Sequence, residues 1–407
     1  MSARLGSLTI GQFLKRHWQR EPLLMRDVWP GLPHPGTPPF TLTPRELFAM
    51  ARDPDVESRL VTTPGSAAAS AARSSAGWRL RQGPFSRLPP RRQPGWSLLV
   101  QGVDLHLESA RELMDRFRFL PDARLDDLMI SFATDGGGVG PHVDSYDVFL
   151  LQIAGRRRWR VAAPAPVELV PDAPLRLLAN FEPQQTWLLE PGDMLYLPPG
   201  WGHEGTAVGE CLTCSIGFRS PSVGELRRAF FGFLADAETL ASPAGADASR
   251  RYRDKTVRPA EKPAEIPADM AKTLAQWLNG YRPPQGLIER FIGCYLTEPK
   301  PSVWFDRPQE TELEDGAGVS LALDRRSRML YRRRAFYING EALVLPEAVA
   351  PSPAGTAANR SSRALLRTLA DQRGLDAAQT AKALRDPWLR DRICEWAANG
   401  WLRRAGS

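Results

Sequence analysis

Apolar residues between Trp78 and Phe218 recur mostly at every second position or in short continuous runs, which is the pattern of β-strands. Glycine and proline interrupt these runs at short intervals. The runs predict strands at Leu128–Ala133, Asp147–Ile153, Arg158–Ala162, Thr186–Leu189, Asp193–Leu197 and Leu212–Phe218. Short strands punctuated in this way are typical of a double-sheet jelly roll.

Helical spacing of apolar residues is found on both sides of the main strands. Ser222 and Glu225 have the spacing of a helix capping box, so a helix is expected to begin after Pro221. Other helices are predicted at Gly11–His17, Thr43–Ala51, Ala110–Phe119, Pro267–Asn279 and Gly286–Leu296. The proline-rich segments Pro30–Pro39 and Arg258–Pro267 and the low-complexity segment Thr63–Ser75 are predicted to be loops.

The last hundred residues combine a hairpin with helices. Two strand-like segments, Met329–Arg334 and Arg334–Val344, surround Asn339-Gly340, which is a strong signal for a two-residue turn. Helices are predicted at Ser361–Arg373, Ala377–Leu384 and Pro387–Asn399. With 407 residues, more than one domain is expected, and we predict three blocks, residues 1–219, 220–299 and 300–407.

The composition is that of a globular protein, with 24% charged and 43% hydrophobic residues. No apolar run reaches the roughly 18 residues of a membrane span. The first residues also lack the apolar core of a secretory signal, so we expect a cytoplasmic protein. Cys211 and Cys214 form one C-x-x-C pair without a second, which favours reduced core thiols over a zinc site. The net charge of +7 allows nucleic-acid contact as a secondary property.

Two of the five histidines stand where they could bind a metal ion. His142 and Asp144 form an H-x-D motif within Pro141–Leu151, which has a strand-like composition, so both side chains would share one face. His203 follows a strand and the turn Pro198–Gly200. Two imidazoles and one carboxylate are the ligands of non-haem Fe(II) oxygenases, which keep other coordination positions open. A lone H-x-D is otherwise common in surface turns, and a buried, hydrogen-bonded histidine is the alternative for His203.

Arg157 is the third chemical element. A guanidinium can bind a carboxylate through two parallel hydrogen bonds, so Arg157 could hold the far end of a dicarboxylate cosubstrate. On a regular strand Arg156, Arg158 and Arg160 would lie on the opposite face, where solvated charges are expected. The alternative is that all four arginines are solvated.

Further residues flank these motifs. Thr213 and Ser215 share one face of a predicted strand, where either could hydrogen-bond a cosubstrate or both could simply pack the strand. The glycine-rich run Gly136–Gly140 lacks the ending of a phosphate loop and is expected to be a tight turn near the site.

Residues 125–219 resemble the JmjC branch of the 2-oxoglutarate-dependent oxygenases, and within it the bacterial ribosomal oxygenases. The resemblance extends more weakly towards both ends of the chain. It is carried by LDDLMISFA (125–133), GGGVGPHVDSYDVFLLQIAGRRRWRV (136–161), LEPGDMLYLPPGWGHEG (189–205), SIGFR (215–219), FLKRHWQREPLLMRD (13–27) and WSLLVQGVD (96–104).

In that family the metal ligands fall on His142, Asp144 and His203, and the residue that binds 2-oxoglutarate falls on Arg157. The resemblance thus implies an Fe(II)- and 2-oxoglutarate-dependent dioxygenase. Such an enzyme hydroxylates an arginine side chain of a 50S ribosomal protein and releases succinate and CO₂. For a substrate of this kind, acidic residues near the pocket, with Asp135 and Asp147 as candidates, would bind the target arginine. Alternatively, the excess positive charge would contact ribosomal RNA.

The resemblance also implies a three-part architecture of mixed α and β structure. A double-stranded β-helix, the cupin/JmjC jelly roll, would form the catalytic domain with its N-terminal helices. A helical segment that makes a homodimer and a C-terminal winged-helix-like domain would follow.

Two other kinds of function remain open at this point. A JmjC-type demethylase would use the same ligands on an N-methyl group. A non-catalytic cupin/winged-helix regulator would bind nucleic acid, although the C-terminal block has no patch of interleaved basic and aromatic residues.

Overall fold

The protein is described from a computed structural model, in residues 4–28, 42–64, 75–236, 268–280, 283, 285–307, 318–343 and 353–405. The predicted loops Pro30–Pro39 and Arg258–Pro267 lie outside these residues, and so does most of Thr63–Ser75. All statements about structure below refer to the described part of the chain.

The described helices are α1 (Ile10–Arg16), α2 (Pro44–Met50), α3 (Glu108–Asp115), α4 (Val223–Asp236), α5 (Ala268–Gly280), α6 (Gln285–Thr297), α7 (Pro353–Gln372), α8 (Ala377–Leu384) and α9 (Pro387–Ala398). The first nine strands are β1 (Arg4–Leu5), β2 (Leu8–Thr9), β3 (Leu23–Met25), β4 (Ser58–Thr62), β5 (Arg79–Gln82), β6 (Trp96–Val100), β7 (Leu125–Ala133), β8 (His142–Val143) and β9 (Val148–Ala162). The others are β10 (Gln185–Leu189), β11 (Met194–Leu197), β12 (Gly202–Phe218), β13 (Leu321–Leu323), β14 (Met329–Arg332), β15 (Ala335–Ile338), β16 (Glu341–Leu343), β17 (Gly374–Leu375) and β18 (Leu402–Arg404).

Among the described residues, ten strands form one large sheet in the order β3, β11, β9, β12, β7, β6, β4 and β5, with β10 beside β9 and β8 beside β12. All of these pairings are antiparallel. The long strand β9 pairs with β11 through residues 148–151 and with β10 through residues 157–161. Because β9 has two partners in turn along one edge, the sheet curls into the jelly roll that the sequence predicted.

Alternation along the strands separates the hydrophobic core from a polar cavity. On β7, Leu128, Ile130 and Phe132 are buried in the core. Asp127 and Ser131 point to the opposite face, where they line the cavity. Aromatic rings fill much of the core, among them Phe13, Phe117, Phe149, Tyr196 and Phe218.

The described chain forms two compact units. Unit 1 comprises Met1–Ser220, Pro299–Ser327 and Ala364–Ser407, and contains the large sheet and the small sheet β17-β13-β18. Unit 2 comprises Pro221–Glu298 and Arg328–Arg363, and contains α4 to α6 and the sheet β14-β15-β16. In this division residues 300–407 are shared between both units, whereas the sequence predicted a single block.

Several strands differ from the prediction. The segment Pro141–Leu151 is not one strand, because pairing stops after Val143 and resumes only at Val148. The predicted strands Asp147–Ile153 and Arg158–Ala162 are instead one strand, β9. Gly155 keeps β9 continuous, since it has φ +64 and lies so close to the Glu210 carbonyl that no Cβ would fit.

The C-terminal hairpin is also more elaborate than expected. The predicted strand Arg334–Val344 is two strands, β15 and β16. They are joined at Asn339 and Gly340, whose φ angles of 47° and 88° suit the predicted two-residue turn.

Most helix predictions are confirmed within a few residues, but α7 begins at Pro353, eight residues before the predicted start at Ser361. Ser222 and Glu225 form the predicted capping box, with Ser222 N donating to Glu225 Oε2 at 2.6 Å and Glu225 N donating to Ser222 Oγ at 3.2 Å. Apolar side chains of α4 pack within unit 2, where the Phe230 and Phe233 rings lie 5.0 and 5.5 Å from that of Phe291. Helices long and apolar enough to span a membrane are absent from the described residues.

Asp147 anchors the start of β9 from a fully buried position. Its carboxylate accepts hydrogen bonds from Tyr196 Oη at 2.6 Å, Arg124 at 2.9 Å and Gln19 Nε2 at 3.0 Å. Burial and the adjacent carboxylate raise the pKa of Tyr196, so its hydroxyl stays a donor at neutral pH. Asp147 is therefore a structural carboxylate, and its predicted role in binding a substrate cation is wrong.

We predict that Asp147→Asn lowers the free energy of unfolding by about 2–3 kcal/mol, because the buried network loses its negative charge and one of its two acceptor oxygens. Tyr196→Phe, which removes one donor only, should cost about 1 kcal/mol. Urea unfolding would measure both values. A D147N protein as stable as the wild type would contradict this account.

Candidate active site

His142, Asp144 and His203 converge on one point at the wall of the cavity. One ligand atom from each residue lies within 4.8 Å of the other two, and they form the one such cluster found in the described part of the chain. His203 Nε2 lies 3.5 Å from Asp144 Oδ2, and the two imidazole centroids are 4.2 Å apart. Pairing of β8 with the start of β12 sets His142 opposite His203.

Asp144 reaches this cluster in a different way from the one predicted. It does not share a strand face with His142, because β8 ends at Val143. Its backbone carbonyl instead accepts a hydrogen bond from Gly200 N at 2.9 Å. The turn that precedes His203 thus also fixes the chain at Asp144.

Backbone carbonyls orient both imidazoles. His142 Nδ1 lies 2.9 Å from the Gly140 carbonyl, and His203 Nδ1 lies 3.0 Å from the Trp201 carbonyl. A carbonyl only accepts, so each Nδ1 carries the proton and each Nε2 is free to bind a metal. Burial, with a smaller effect of His142, lowers the pKa of His203 to about 4. His203 is therefore neutral at neutral pH, as a metal ligand must be.

Arg157 is buried in the same cavity, with 3% of its surface exposed. Its guanidinium donates to Ser131 Oγ at 3.0 Å, Thr213 Oγ1 at 3.3 Å and the Gly205 carbonyl at 3.3 Å. All three acceptors are neutral, and Arg157 Nε has no hydrogen-bond partner in the described residues. Burial lowers the pKa of Arg157. Arg156 and Arg158 are exposed and Arg160 pairs with Glu204, as alternation predicted.

The cavity has a volume of about 510 Å³ and joins the histidine–aspartate cluster to Arg157. Trp159 connects the two ends, with its ring 6.0 Å from that of His203 and 5.2 Å from the Arg157 guanidinium carbon. Thr213 and Ser215 both line the wall, as predicted. Thr213 binds Arg157 and donates to Gln152 Oε1 at 2.9 Å, so its hydroxyl already helps to hold the guanidinium.

Sequence reasoning did not single out the other residues around Arg157. Ser131 and Gln152 are single polar residues within strands. The one sequence signal for their role is that they interrupt runs of hydrophobic residues. Gly205 must lack a side chain, because a Cβ there would lie 2.7 Å from Arg157 Nε and from the Trp159 ring. Gly138 in turn packs against the Gly205 carbonyl, so the glycine-rich run lies beside the site, as expected.

The other end of the cavity is acidic and aromatic, and it includes Asp126, Asp127 and Tyr146. Asp127 is buried, whereas 40% of Tyr146 is exposed. Asp135, the other predicted acceptor of a substrate cation, does not line this cavity and accepts a hydrogen bond from Gly209 N at 2.7 Å. The acidic end is thus formed by Asp126 and Asp127, which belong to no motif recognised in the sequence.

Comparison with known proteins gives two family matches. Residues 112–226 match the model of a JmjC domain, and residues 272–403 match a ROXA-like winged helix. Over 383 residues, the chain is 33% identical to the ribosomal protein uL16 3-hydroxylase of Escherichia coli, with 92% of each chain covered. The chain belongs to the JmjC-type ribosomal oxygenases. It is also 28% identical to a probable ribosomal oxygenase of Haemophilus influenzae, over 96% of this chain and 94% of that one.

This ribosomal oxygenase is also similar to a solved structure over nearly its whole length. The E. coli ribosomal oxygenase YcfD in complex with cobalt and 2-oxoglutarate matches with a TM-score of 0.77 and 30% identity, over 99% of this chain and all of that one. The match confirms the predicted combination of a JmjC jelly roll with a winged helix.

The residues present in this ribosomal oxygenase fit both a divalent metal ion and 2-oxoglutarate. Two neutral imidazoles and a carboxylate suit Fe(II) and similar divalent ions. Arg157 is a buried cation without a carboxylate partner among the described residues, and such a charge is costly unless an anion joins it. A dicarboxylate that spans the cavity would supply that anion.

We predict that His142→Ala, Asp144→Ala and His203→Ala each weaken Mn(II) binding at least about 100-fold, because one of three ligands is lost. Calorimetric titration of the metal-free protein would measure the affinity. Asp135→Asn is the control, since Asp135 lies outside the cavity. Unchanged Mn(II) affinity in the D144A variant would show that the cluster is not the metal site.

Proposed function

We propose that this ribosomal oxygenase is an Fe(II)- and 2-oxoglutarate-dependent dioxygenase that hydroxylates an arginine side chain of a large-subunit ribosomal protein. One observation carries the proposal: a two-histidine, one-carboxylate cluster shares one cavity with a buried arginine that has no carboxylate partner among the described residues. The iron centre supplies the activation of O₂, with one oxygen atom entering the product and the other entering succinate as CO₂ leaves.

His142, Asp144 and His203 would hold the iron. The carbonyls of Gly140 and Trp201 fix the ring orientation of the two histidines, so the Nε2 atoms face the ion without further rearrangement. Three protein ligands on one side leave the other coordination positions to cosubstrate and O₂.

Arg157 would pair with the distal carboxylate of 2-oxoglutarate. Ser131 and Thr213 keep its guanidinium in place, and the close packing of Gly205 and Trp159 limits its movement. Ser215 also faces the cavity, where its hydroxyl can donate to the same cosubstrate. The neutral surroundings of Arg157 matter, because an internal carboxylate would compete with the cosubstrate.

The acidic end of the cavity would receive the substrate. Asp127 offers a buried carboxylate, and the half-exposed ring of Tyr146 offers an apolar surface to a long side chain. A guanidinium suits this combination, since it is planar, always charged and stacks on aromatic rings. The Asp127 carboxylate thus gives a chain with a net charge of +7 a local acceptor for a basic side chain of a ribosomal protein.

We further propose a cytoplasmic homodimer that contacts nucleic acid only secondarily. The resemblance implies that the helical segment after the jelly roll makes a homodimer. Phe230 of α4 packs inside unit 2, but Phe231, Val223 and Ile292 of unit 2 remain 66%, 65% and 43% exposed. Exposed apolar side chains of this size on neighbouring helices favour association. Light scattering after size exclusion would report the mass, and a monomeric mass at micromolar concentration would contradict a dimer.

The function is tested by incubating the protein with Fe(II), 2-oxoglutarate and large ribosomal subunits of E. coli, followed by mass spectrometry of the ribosomal proteins. We expect one arginine of uL16 to gain one oxygen atom, with succinate released. The D144A variant is the control and should leave uL16 unmodified. Loss of a methylene unit would instead indicate demethylation, and no mass change with intact Mn(II) binding would refute the oxygenase.

We predict that Arg157→Met raises the apparent KM for 2-oxoglutarate about 10–100-fold, because a buried charge-assisted pair is lost. The thermal stabilisation that 2-oxoglutarate gives the wild type should also disappear. Arg158→Met is the matched control, since Arg158 is exposed on the other face of β9. A KM within threefold of the wild type would contradict the role of Arg157.

A further inference from the structure

The acidic end of the cavity already contains a cation from the chain itself. Lys300 Nζ lies 3.3 Å from Asp126 Oδ1 and 3.2 Å from Asp127 Oδ2. The Lys300 side chain is 31% exposed, compared with 35% for Asp126 and 7% for Asp127. Lys300 is not among the described residues that line the cavity, although both of its carboxylate partners are.

The backbone holds Lys300 in this position. Pro299 and Pro301 flank it, and a proline on each side restricts the backbone of the residue between them. Val303 N donates to the Lys300 carbonyl at 2.9 Å, so residues 300–303 form a β-turn with proline at its second position. The ammonium is thus brought to the carboxylates with little loss of backbone freedom.

Asp127 presents its two oxygens to different partners. Oδ2 accepts a hydrogen bond from Gln101 Nε2 at 2.7 Å and the contact from Lys300. Oδ1 lies on the side of Gly217 and Tyr146 and has no hydrogen bond from the described residues. One carboxylate oxygen is therefore left for a ligand in the cavity.

The charges around the pair nearly cancel. Asp126 also lies 3.4 Å from Arg219 Nε, and Arg59 lines the same cavity, so positive charges of the described residues offset the two carboxylates. A compact ammonium has three donors but no planar fork, so more of its binding depends on net charge and it gains less from a neutralised site. A guanidinium still gains from directional hydrogen bonds to one free oxygen.

We propose that Lys300 is a specificity-determining residue of the substrate pocket. It neutralises the outer side of the Asp126–Asp127 pair and leaves Asp127 Oδ1 as the acceptor for a guanidinium, and this inference rests on the proposed arginine substrate. Lys300 thereby lowers the affinity for cations in general and makes recognition depend on the hydrogen-bond geometry of arginine.

Ligand binding, measured without turnover, tests the proposal. Nα-acetyl-arginine amide, the lysine analogue and the neutral citrulline analogue would be titrated by NMR into the protein loaded with Zn(II) and 2-oxoglutarate. We expect Lys300→Met to bind both cationic amides more tightly, by about 3–10-fold at low ionic strength, with a larger gain for lysine. Citrulline amide should be unaffected, and Lys300→Arg should behave as the wild type.

The salt dependence and a folding control complete the test. The gain in K300M should shrink as salt is added, because it comes from a charge near the surface. An unchanged thermal shift on addition of 2-oxoglutarate would show that the variant has kept the rest of the cavity.

Equal affinities of wild type and K300M for arginine amide, or binding by neither, would overturn the assignment of Lys300 even if uL16 is hydroxylated. The expected binding pattern without hydroxylation of uL16 would instead uphold Lys300 and count against the proposed function.

Discussion

The burial of one guanidinium without a carboxylate partner constrains the whole jelly roll. Taking a charge out of water is expensive, and among the described residues Arg157 is compensated by a hydroxyl from β7, a hydroxyl and a carbonyl from β12, and the ring of Trp159. These strands must therefore keep their register. Glycine at 205 is required for the same reason, since any side chain there would displace Arg157 or Trp159.

The same strands provide the core and the cavity through simple alternation. Ile130 and Phe132 lie in the aromatic core, while Met129 and Ser131 face the cavity. Displacement of β7 by one residue would exchange these two sets. Stability of the core and position of the polar groups are thus consequences of one register, which the Asp147 network helps to fix at the start of β9.

The sequence was sufficient for features with strong local patterns. Spacing and composition were enough to predict the metal-ligand types at His142, Asp144 and His203. They also predicted that Arg157 lies on the strand face opposite its arginine neighbours, and they predicted most helices. Ser131, Gln152 and Lys300 could not, because single polar residues have no local pattern and their partners are distant in the chain. Asp147 was misassigned for a related reason: its role depends on Tyr196 and Arg124, which only the fold brings together.

Each ligand histidine has an orienting carbonyl that belongs to its own segment. Gly140 precedes His142 by two residues, and Trp201 precedes His203 by two. The orientation of each imidazole ring is thus determined within three consecutive residues and does not depend on a residue distant in the chain. Mutations that reshape the acidic end during evolution can therefore accumulate without disturbing the direction of the imidazoles, which leaves the substrate end free to diversify around a stable metal end.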